Sequence, residues 1–563
     1  MNQSVWPRLA IILVYLVATL VIGILFRRRS SVSREEFFLA GRSVRRLLLF
    51  FTMAATNFSA FTIFGLSGAG YRIGYAFYPI MGFGTGFMAL GFWVIGSRIH
   101  SLSRERSYVT PSDFIADRYG SPGLKRLFSA VMILFTLPYI AIQAIASGTS
   151  LNSLVGIPYL SGAALIMAFV IVYVTLGGLR SIVWTDVVQS LMMIGFTVAA
   201  YILIVRGSGG FVAAHRQAYD AFPELFARPG QDGSMLLGVW FGYLLLWFFA
   251  DPMFPQLFQR FLAARDRRAL GTTMTLYPLI TTGLFFLTVS IGVIGRVTFP
   301  ALAPGESDAV YPLLLGRYAG LFVSTLLLTG GLAALMSTLD SQLLTVSSMI
   351  SLDFFQIRRR EVLKEKLVVV LLGVLGLAIA ARPPQTILNF INRTTFNGLA
   401  VLAPTVIGGL YWRRANRFGA AASIVVGEAL VVTFYFGWLR SPGVLPVVPI
   451  LAATGLVFTV VSLSTRRITK VRVVETIAGD EPEAASAAGI ERPELVKPVP
   501  RRLLPWIGLF LVFFVLGIDF WAWGRRPLFL AGLPLWVWYF VVLGVLLTIA
   551  YRLFLNRVLE EEI

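Results

Sequence analysis

The chain has 563 residues, of which 57% are hydrophobic and 13% charged, with a mean hydropathy of +0.78. Apolar runs of about 20 residues recur along its whole length, which predicts an integral membrane protein and excludes a soluble one. The net charge of +20 falls mainly in short loops between these runs, where it signals orientation and not nucleic-acid binding. Absence of cysteine excludes disulfides and thiolate metal sites, and the two histidines, His100 and His215, are placed unfavourably for a metal site or catalytic triad.

The apolar runs predict about fifteen transmembrane helices. The first run, from Leu9 to Phe26, lacks a small-residue cleavage site, so we interpret it as a retained helix and not a signal peptide. Lys and Arg concentrate in alternate loops, which predicts an N-terminus outside and a C-terminus inside. The predicted helices are 6–26, 46–71, 75–99, 124–150, 158–178, 181–206, 234–256, 271–299, 319–352, 366–382, 385–412, 418–438, 444–464, 503–524 and 531–556.

Only one long segment interrupts this pattern. We expect residues 1–464 to form the main transmembrane domain, 465–502 a polar cytoplasmic linker, and 503–563 two more helices with a short cytoplasmic tail. Asp519 and the tryptophans that follow it fall near the predicted outer end of helix fourteen. An interfacial anchor is the expected role there.

Two predicted helices carry signals of a break. Helix two contains Asn and Ser within residues 54–60 and then several glycines, and helix seven contains Pro252 and Pro255. Prolines free backbone carbonyls, and irregular backbone at membrane depth is tolerated where it lines a cavity or is buried by protein. The breaks lie five helices apart in oppositely directed helices, which predicts inverted repeats of about 46–206 and 234–412 with a midplane site. Two unrelated kinks are the alternative.

Helix nine carries a polar stripe on one face. Its members recur at steps of three, one, three, four and three residues: Ala334, Ser337, Thr338, Ser341, Thr345 and Ser348. Hydroxyl and carbonyl oxygens are hard ligands that suit a small cation such as Na⁺. Close helix packing through small residues explains the stripe equally well.

Four motifs together resemble the sodium/solute symporter family, which includes proline, pantothenate, monocarboxylate, sialic acid and sodium/glucose transporters. They are Thr175 to Arg180 with Trp184, Thr185, Asp186 and Gln189; Gln259 to Ala264; Ala334 to Leu344; and Gly408 to Arg414. The resemblance covers about residues 6–464. It implies an all-α, LeuT-like five-plus-five inverted repeat with an extra N-terminal helix and extra C-terminal helices, in the plasma (inner) membrane.

The resemblance also implies two cation sites. In the main Na⁺ site, backbone carbonyls of Ala55, Phe58 and Ala334 join the hydroxyls of Ser337 and Thr338. A possible second site consists of the residues that follow: Asp186, Asp340 and Ser341.

At the second site, Asp340 supplies a carboxylate at a position where the family has a hydroxyl. Two carboxylates near one site bind a cation more strongly or share a proton. The alternatives are that Asp340 pairs with a cytoplasmic arginine and that Asp186 pairs with Arg180.

Solute-binding candidates come from the broken helices and from helices four and eleven: Asn57, Phe61, Tyr139, Gln143, Trp247, Asp251, Asn392 and Arg393. Trp247 matches a pocket tryptophan of the proline transporter. Asn57 and Asp251 depart from that transporter, where an aspartate and a tyrosine stand. Thr62 replaces the helix-two glutamine of the sugar transporters.

Arg393 has three interpretations, because an intramembrane arginine is costly unless it is paired or in water. It clamps a solute carboxylate, pairs with Asp251 as an outer gate, or snorkels to the outer surface. The segment from Pro138 to Gln143 resembles the monocarboxylate and pantothenate members of the family. Together with the first option for Arg393, this resemblance favours Na⁺-coupled uptake of an organic acid such as a monocarboxylate or a pantothenate-like solute.

Other functions are weighed against this one. Proton coupling and amino-acid or sugar transport are the nearest alternatives, and a transporter-like solute sensor is the alternative of another class. No cluster of catalytic groups indicates an enzyme. The expected partners are Na⁺, the solute and the lipid bilayer, and no protein partner is indicated.

Overall fold

The computed structural model describes residues 5–26, 34–230, 235–355, 362–382, 386–465, 495–496 and 500–560. Within these residues the protein is helical apart from one antiparallel hairpin of β1 (Phe529–Leu530) and β2 (Leu533–Pro534) and one isolated bridge. Ten helices are long and apolar enough to cross a membrane, or up to twelve when each of two bent pairs counts as one span. The prediction of an all-helical, polytopic membrane protein is confirmed.

The α-helices follow the predicted order along the chain. They are α1 (Val5–Leu25), α2 (Arg34–Leu39), α3 (Arg46–Asn57), α4 (Leu66–Ile73), α5 (Thr85–Met88), α6 (Arg98–Arg106), α7 (Asp113–Tyr119), α8 (Pro122–Ser150), α9 (Tyr159–Gly207), α10 (Phe211–Ala221), α11 (Leu237–Ala250), α12 (Pro255–Ala263), α13 (Arg267–Thr298), α14 (Val310–Tyr318), α15 (Leu321–Met349), α16 (Val362–Ala380), α17 (Ile387–Thr394), α18 (Phe396–Ala400), α19 (Ala403–Tyr411), α20 (Arg417–Tyr435), α21 (Val447–Ser464), α22 (Leu504–Ile518) and α23 (Leu535–Glu560). Most of the predicted linker 465–502 lies outside the described residues.

Both predicted helix breaks are present. After α3 the chain bends by 62° into the segment Phe61–Phe77, and after Met253 it bends by 53° into α12. Phe58 takes an extended conformation at the first break. At the second break Phe254 is extended because the ring of the next residue, Pro255, disfavours helical geometry in the residue before it.

One helix joins two predicted spans. α9 has 49 residues, which corresponds to about 74 Å of helix and exceeds the roughly 30 Å of a bilayer core. Gly178 interrupts it with φ 64° and ψ −171°, a conformation that suits glycine. The interruption falls between the predicted helices 158–178 and 181–206. α9 therefore supplies two spans.

The prediction of one continuous helix over 385–412 is wrong. The chain forms α17, α18 and α19 there, with breaks at Thr395 and after Ala400. Pro404 lies in the first turn of α19, where a missing amide hydrogen is tolerated, and this position explains why a new helix begins there.

The helix that follows the first break, α4, packs against α13 through glycines. A β-carbon on Gly70 would lie 2.3 Å from the Val289 carbonyl oxygen, and one on Gly292 would lie 2.0 Å from the Ser67 carbonyl oxygen. Only glycine permits so close an approach of two helix backbones. The part of helix two that follows the break and α13 therefore form one compact unit.

The two C-terminal helices attach to the same unit, and here one prediction is corrected. Asp519 is fully buried and forms an ion pair with Arg228, so it does not act as an interfacial anchor. The Arg228 guanidinium also lies 4.6 Å from the ring centroid of Trp523. On α23 the Tyr551 hydroxyl donates to the Phe87 carbonyl at 2.9 Å. These contacts join helices fourteen and fifteen to the main domain.

Candidate functional site

The first break places a backbone carbonyl of α3 beside hydroxyls of predicted helix nine, which is α15 in the structure. α3 ends at Asn57, and the carbonyl oxygen of Ala55 accepts from the Ser337 hydroxyl at 2.9 Å and the Thr338 hydroxyl at 3.3 Å. The same hydroxyls lie 3.0 Å and 3.2 Å from the carbonyl oxygen of Ala334. Four of the five groups named for the main Na⁺ site thus lie together. They are buried, with 0–1% exposure.

The fifth residue, Phe58, stands at the break itself and is 1% exposed. Beyond it, side chains replace the lost helical partners. The Ala60 amide donates to Gln143 Oε1 at 3.1 Å, and the Phe61 amide donates to Ser59 Oγ at 3.2 Å. Fixed side chains therefore hold this non-helical backbone in place.

The remaining hydroxyls of the polar stripe have different hydrogen-bond partners. Thr345 donates to Gln259 on α12 at 2.5 Å, whereas Ser348 donates to a carbonyl of its own helix at 2.7 Å. The cation-site interpretation therefore fits the first part of the stripe, and helix packing fits its end.

At the predicted second cation site, a guanidinium lies between the acidic and hydroxyl groups. Arg260 on α12 is fully buried, and its Nη2 is 3.3 Å from Asp186 Oδ2 and 2.6 Å from Ser341 Oγ. Thr52 donates to the same Asp186 oxygen at 2.5 Å. The alternative pairing of Asp186 with Arg180 is wrong, since Arg180 pairs with Glu36 at 2.9 Å.

Asp340 is satisfied by hydroxyls. Tyr173 donates to one carboxylate oxygen at 2.5 Å, and Ser341 donates to the other at 3.0 Å. Among the described residues no arginine or lysine lies within ion-pair distance of Asp340. The predicted pairing with a cytoplasmic arginine is therefore not observed. Asp186, Asp340 and Ser341 do form one connected cluster, through Arg260.

The polar side chains predicted to bind the solute join both breaks. Asn57 at the end of α3 donates to Asp251 Oδ2 at 3.3 Å and to the Tyr277 hydroxyl on α13 at 2.5 Å. From α8 the Tyr139 hydroxyl donates to Ser59 Oγ at 3.1 Å. All these side chains are buried, and Asn57 is the most accessible at 9%.

Aromatic rings from the same elements pack together beside these polar groups. Phe61 and Trp247 stack with centroids 5.8 Å apart, and the Trp247 ring lies edge-on to Phe396 at 4.7 Å. Tyr139 and Phe254 extend the set, at 5.3 Å from each other. Among the predicted solute residues, Asn57, Phe61, Tyr139, Gln143, Trp247 and Asp251 therefore lie around the two breaks.

Helix eleven holds the last two candidates. Asn392 is half-buried and donates to the Tyr243 hydroxyl at 2.8 Å, and the side chain of Arg393 lies outside the described residues. Nearby, Arg72 and Asp308 form an ion pair at 3.2 Å, and the Ile387 amide donates to Asp308 at 2.7 Å. These contacts link helix two, the 304–309 loop and helix eleven at one end of the pocket.

Sequence analysis missed several residues of the site. Arg260 lies within the motif from Gln259 to Ala264, and an intramembrane arginine is a functional signal in itself, so the sequence does contain a signal for this residue. Tyr277, Phe254 and Phe396 carry no comparable signal, because aromatic residues are frequent in all these helices. Their contribution depends on tertiary packing.

Comparison with known sequences identifies the family of the chain. The model of the Sodium:solute symporter family matches residues 37–427, more than half of the chain. The sodium/pantothenate symporter of Escherichia coli (strain K12) is 28% identical over 459 residues, covering 79% of this chain and 94% of that protein. The sodium/proline symporter of the same strain is 26% identical over 472 residues, covering 78% and 90%.

Solved structures show the same fold. A Na⁺-coupled sialic acid symporter in a substrate-bound outward-open state superposes with a TM-score of 0.67 at 18% identity, covering 81% of this chain and 97% of that one. Mhp1, a nucleobase-cation-symport-1 family transporter, gives 0.54 at 14% identity, covering 77% and 94%. The LeuT-like fold is thus confirmed. The chain belongs to the sodium:solute symporter family, and it is a multi-pass membrane protein that transports a small solute with Na⁺ and is not an enzyme.

Proposed function

We propose that the protein takes up a small organic solute with Na⁺ bound by the carbonyls of Ala55, Phe58 and Ala334 and the hydroxyls of Ser337 and Thr338. One observation carries this assignment. Both hydroxyls reach the Ala55 carbonyl, which belongs to the last turn before a helix break. Carbonyls freed at a helix end and facing hydroxyls on a neighbouring helix provide the hard oxygen ligands that Na⁺ requires.

The binding of Na⁺ and the binding of solute are coupled because the two proposed sites are only two residues apart along the chain. Ala55 carries a proposed Na⁺ ligand, and Asn57, two residues later, contacts Asp251 in the solute pocket. Sodium that fixes the end of α3 also fixes Asn57, so each ligand raises the affinity of the protein for the other. An inward Na⁺ gradient and a negative potential inside, worth about 2.3 kcal/mol per charge per 100 mV, then drive uptake.

The remaining assignments belong to the same proposal. The repeats span about 46–206 and 234–412, and the site alternates between the two sides of the plasma membrane, with the N-terminus outside and the C-terminus inside. Residues 465–502 form the cytoplasmic linker and 503–563 the additional helix pair and tail.

For the solute, our first candidate is a small organic acid. Two features support it: the sodium/pantothenate symporter of E. coli is among the relatives, and Arg393 and Asn392 lie on helix eleven near the pocket. Arg393 would bind the solute carboxylate with two hydrogen bonds.

The second cation site at Asp186, Asp340 and Ser341 stays a prediction. The Arg260 guanidinium already lies within ion-pair distance of Asp186 and donates to Ser341. A second Na⁺ would therefore have to displace this guanidinium from the cluster. A shared proton would leave it in place.

Transport by reconstituted protein tests the proposal. Proteoliposomes receive an inward gradient of Na⁺, or of K⁺ in its place, at equal pH on both sides, and accumulation of labelled pantothenate, proline and lactate is followed. We expect Na⁺-specific accumulation of at least one solute class, lost in Ser337→Ala and retained in Ser348→Ala. Accumulation driven by a pH gradient in K⁺ alone would replace Na⁺ with protons as the coupling ion.

A further inference from the structure

Asp251 is a buried carboxylate with an incomplete set of partners. Its exposure is 2%, its Oδ2 accepts from the Asn57 amide at 3.3 Å, and its Oδ1 has no hydrogen-bond partner among the described residues. Of the five other buried aspartates that the structure describes, Asp340 accepts from two hydroxyls, one on each carboxylate oxygen. The other four have an arginine or lysine within ion-pair distance: Asp186, Asp308, Asp353 and Asp519. A buried carboxylate without such a partner is costly unless it takes up a proton or meets a positive group.

The surroundings of Asp251 suit a positive group of a particular kind. Trp247 lies four residues earlier, and the Asp251 amide bonds to its carbonyl, so both side chains occupy one face of the helix. The Trp247 ring contacts Phe61 and Phe396, and the Phe396 ring lies 5.8 Å from Tyr139 and 5.2 Å from Phe254. We call these five rings the aromatic box.

We propose that the solute carries a cationic nitrogen, an ammonium or alkylated ammonium group, which binds in the aromatic box against the Asp251 carboxylate. Ring faces attract an organic cation, most strongly when water is excluded, and a nearby carboxylate neutralises it. The Trp247 Nε1 hydrogen is also without a partner among the described residues and is available to another part of the solute. The inference rests on the proposed symport function and specifies its substrate class.

The box is closed in this structure. Its rings contact one another, and the Arg72–Asp308 pair links the elements at the outer end. A solute enters when the outer half of helix seven moves away from helices two and eleven, which separates Trp247 from Phe61 and Phe396. A change of this kind is expected of a site that alternates between two sides of the membrane.

The inference narrows the organic-acid proposal without contradicting it. An organic acid that carries a cationic nitrogen is a zwitterion, whose carboxylate would lie toward Arg393 and whose nitrogen would lie at Asp251. The competing interpretation is that Arg393 itself pairs with Asp251 as a gate. In that case the Asp251 carboxylate does not strengthen the binding of a cationic solute. A solute that has a carboxylate but no cationic nitrogen then binds with equal affinity.

Matched pairs of probes separate these cases. Each pair has one shape and differs in the nitrogen charge: choline with 3,3-dimethyl-1-butanol, glycine betaine with 3,3-dimethylbutanoate, and proline with cyclopentanecarboxylate. Thermal unfolding of the purified full chain is measured with each probe, in Na⁺ and in K⁺, over a range of concentrations. The proteins are the wild type, Asp251→Asn, Phe396→Leu and, as a control, Phe322→Leu, whose ring is 61% exposed on α15.

We expect at least one cationic member to stabilise the wild type while its carbon counterpart does not. Asp251→Asn should weaken the binding of that probe roughly thirtyfold or more, because a buried charge pair loses one partner. Phe396→Leu should weaken it less, and Phe322→Leu should leave it unchanged. A Na⁺-dependent shift retained in Asp251→Asn shows that this variant is folded.

Three results would overturn the inference: no cationic probe stabilises the wild type, both members of each pair stabilise it equally, or Asp251→Asn keeps the wild-type affinity. The symport proposal fails on a different result. If Na⁺ gives no shift over K⁺ and Ser337→Ala changes nothing, the sodium site is wrong, whatever the probes show.

Discussion

Replacing Ser337 by alanine should remove one Na⁺ ligand and leave the helix intact. The Ser337 hydroxyl lies 2.9 Å from the Ala55 carbonyl oxygen and 3.0 Å from that of Ala334, so one substitution affects ligands on both helices. Loss of one interaction with a charged group costs about 1.5–3 kcal/mol. The Na⁺ affinity should therefore fall by about tenfold to a hundredfold, at 1.4 kcal/mol for each factor of ten.

Thermal stability converts this loss into a measurable shift. At a Na⁺ concentration of about 100 times the dissociation constant, bound Na⁺ stabilises the wild type by about 2.7 kcal/mol. After a tenfold to hundredfold loss of affinity, the same concentration contributes only about 1.4 to 0.4 kcal/mol. The midpoint of unfolding is measured against Na⁺ concentration, with K⁺ holding the ionic strength constant.

The control is a second serine of the same helix face. The Ser348 hydroxyl bonds to its own helix at 2.7 Å and lies about 15 Å along the axis from Thr338, so Ser348→Ala should keep the wild-type Na⁺ response. An unchanged response in both Ser337→Ala and Thr338→Ala would refute the assignment. Equal weakening in Ser348→Ala would show that the stripe acts through helix packing.

Three further predictions concern stability. Arg260→Ala leaves Asp186 buried without its cation and should destabilise the protein by about 3–5 kcal/mol, whereas the double variant with Asp186→Asn should recover much of this in thermal unfolding. Gly292→Ala forces a methyl group against a backbone carbonyl 2.0 Å away and should cost about 1–3 kcal/mol, while Gly455→Ala, with open space around it, should not destabilise. Burial lowers the pKa of His215, on the loop helix α10, to about 4. As the pH falls, His215 therefore takes up a proton at a higher pH in the unfolded chain than in the folded protein. Stability should then fall as the pH drops from about 7 toward 4, by up to about 3 kcal/mol from this group, and His215→Phe should remove that part of the pH dependence in unfolding measured at several pH values.

The sequence was sufficient for features that depend on local backbone chemistry. Pro252 and Pro255 remove amide hydrogens, so the break in helix seven follows from the residues themselves. The position of the stripe on helix nine follows from helical periodicity, and its first part does face the break in helix two. The family motifs then selected a cation site over close packing for that part.

Features that depend on which distant groups meet were not predictable in this way. Asp186 has a nearby arginine in sequence, Arg180, yet it pairs with Arg260, 74 positions away. Asp519 and the tryptophans after it predict an interfacial anchor, yet Asp519 pairs with Arg228, which lies 291 positions earlier. Sequence distance carries no information on such pairs, because helix packing decides which charges lie together in the membrane.

The attachment of the last helix to α13 has a practical consequence. A β-carbon on Gly544 would lie 2.1 Å from the Thr282 hydroxyl oxygen, so α23 lies directly against α13 and must follow its displacements. Leu553 on α23 is 55% exposed, and the chain contains no cysteine of its own. A single cysteine introduced at Leu553 would therefore carry a spectroscopic label that reports the tilt of the helix unit around the pocket. Because Leu553 is not among the residues proposed to bind sodium or solute, the label would report movement in the transport cycle without replacing a proposed ligand.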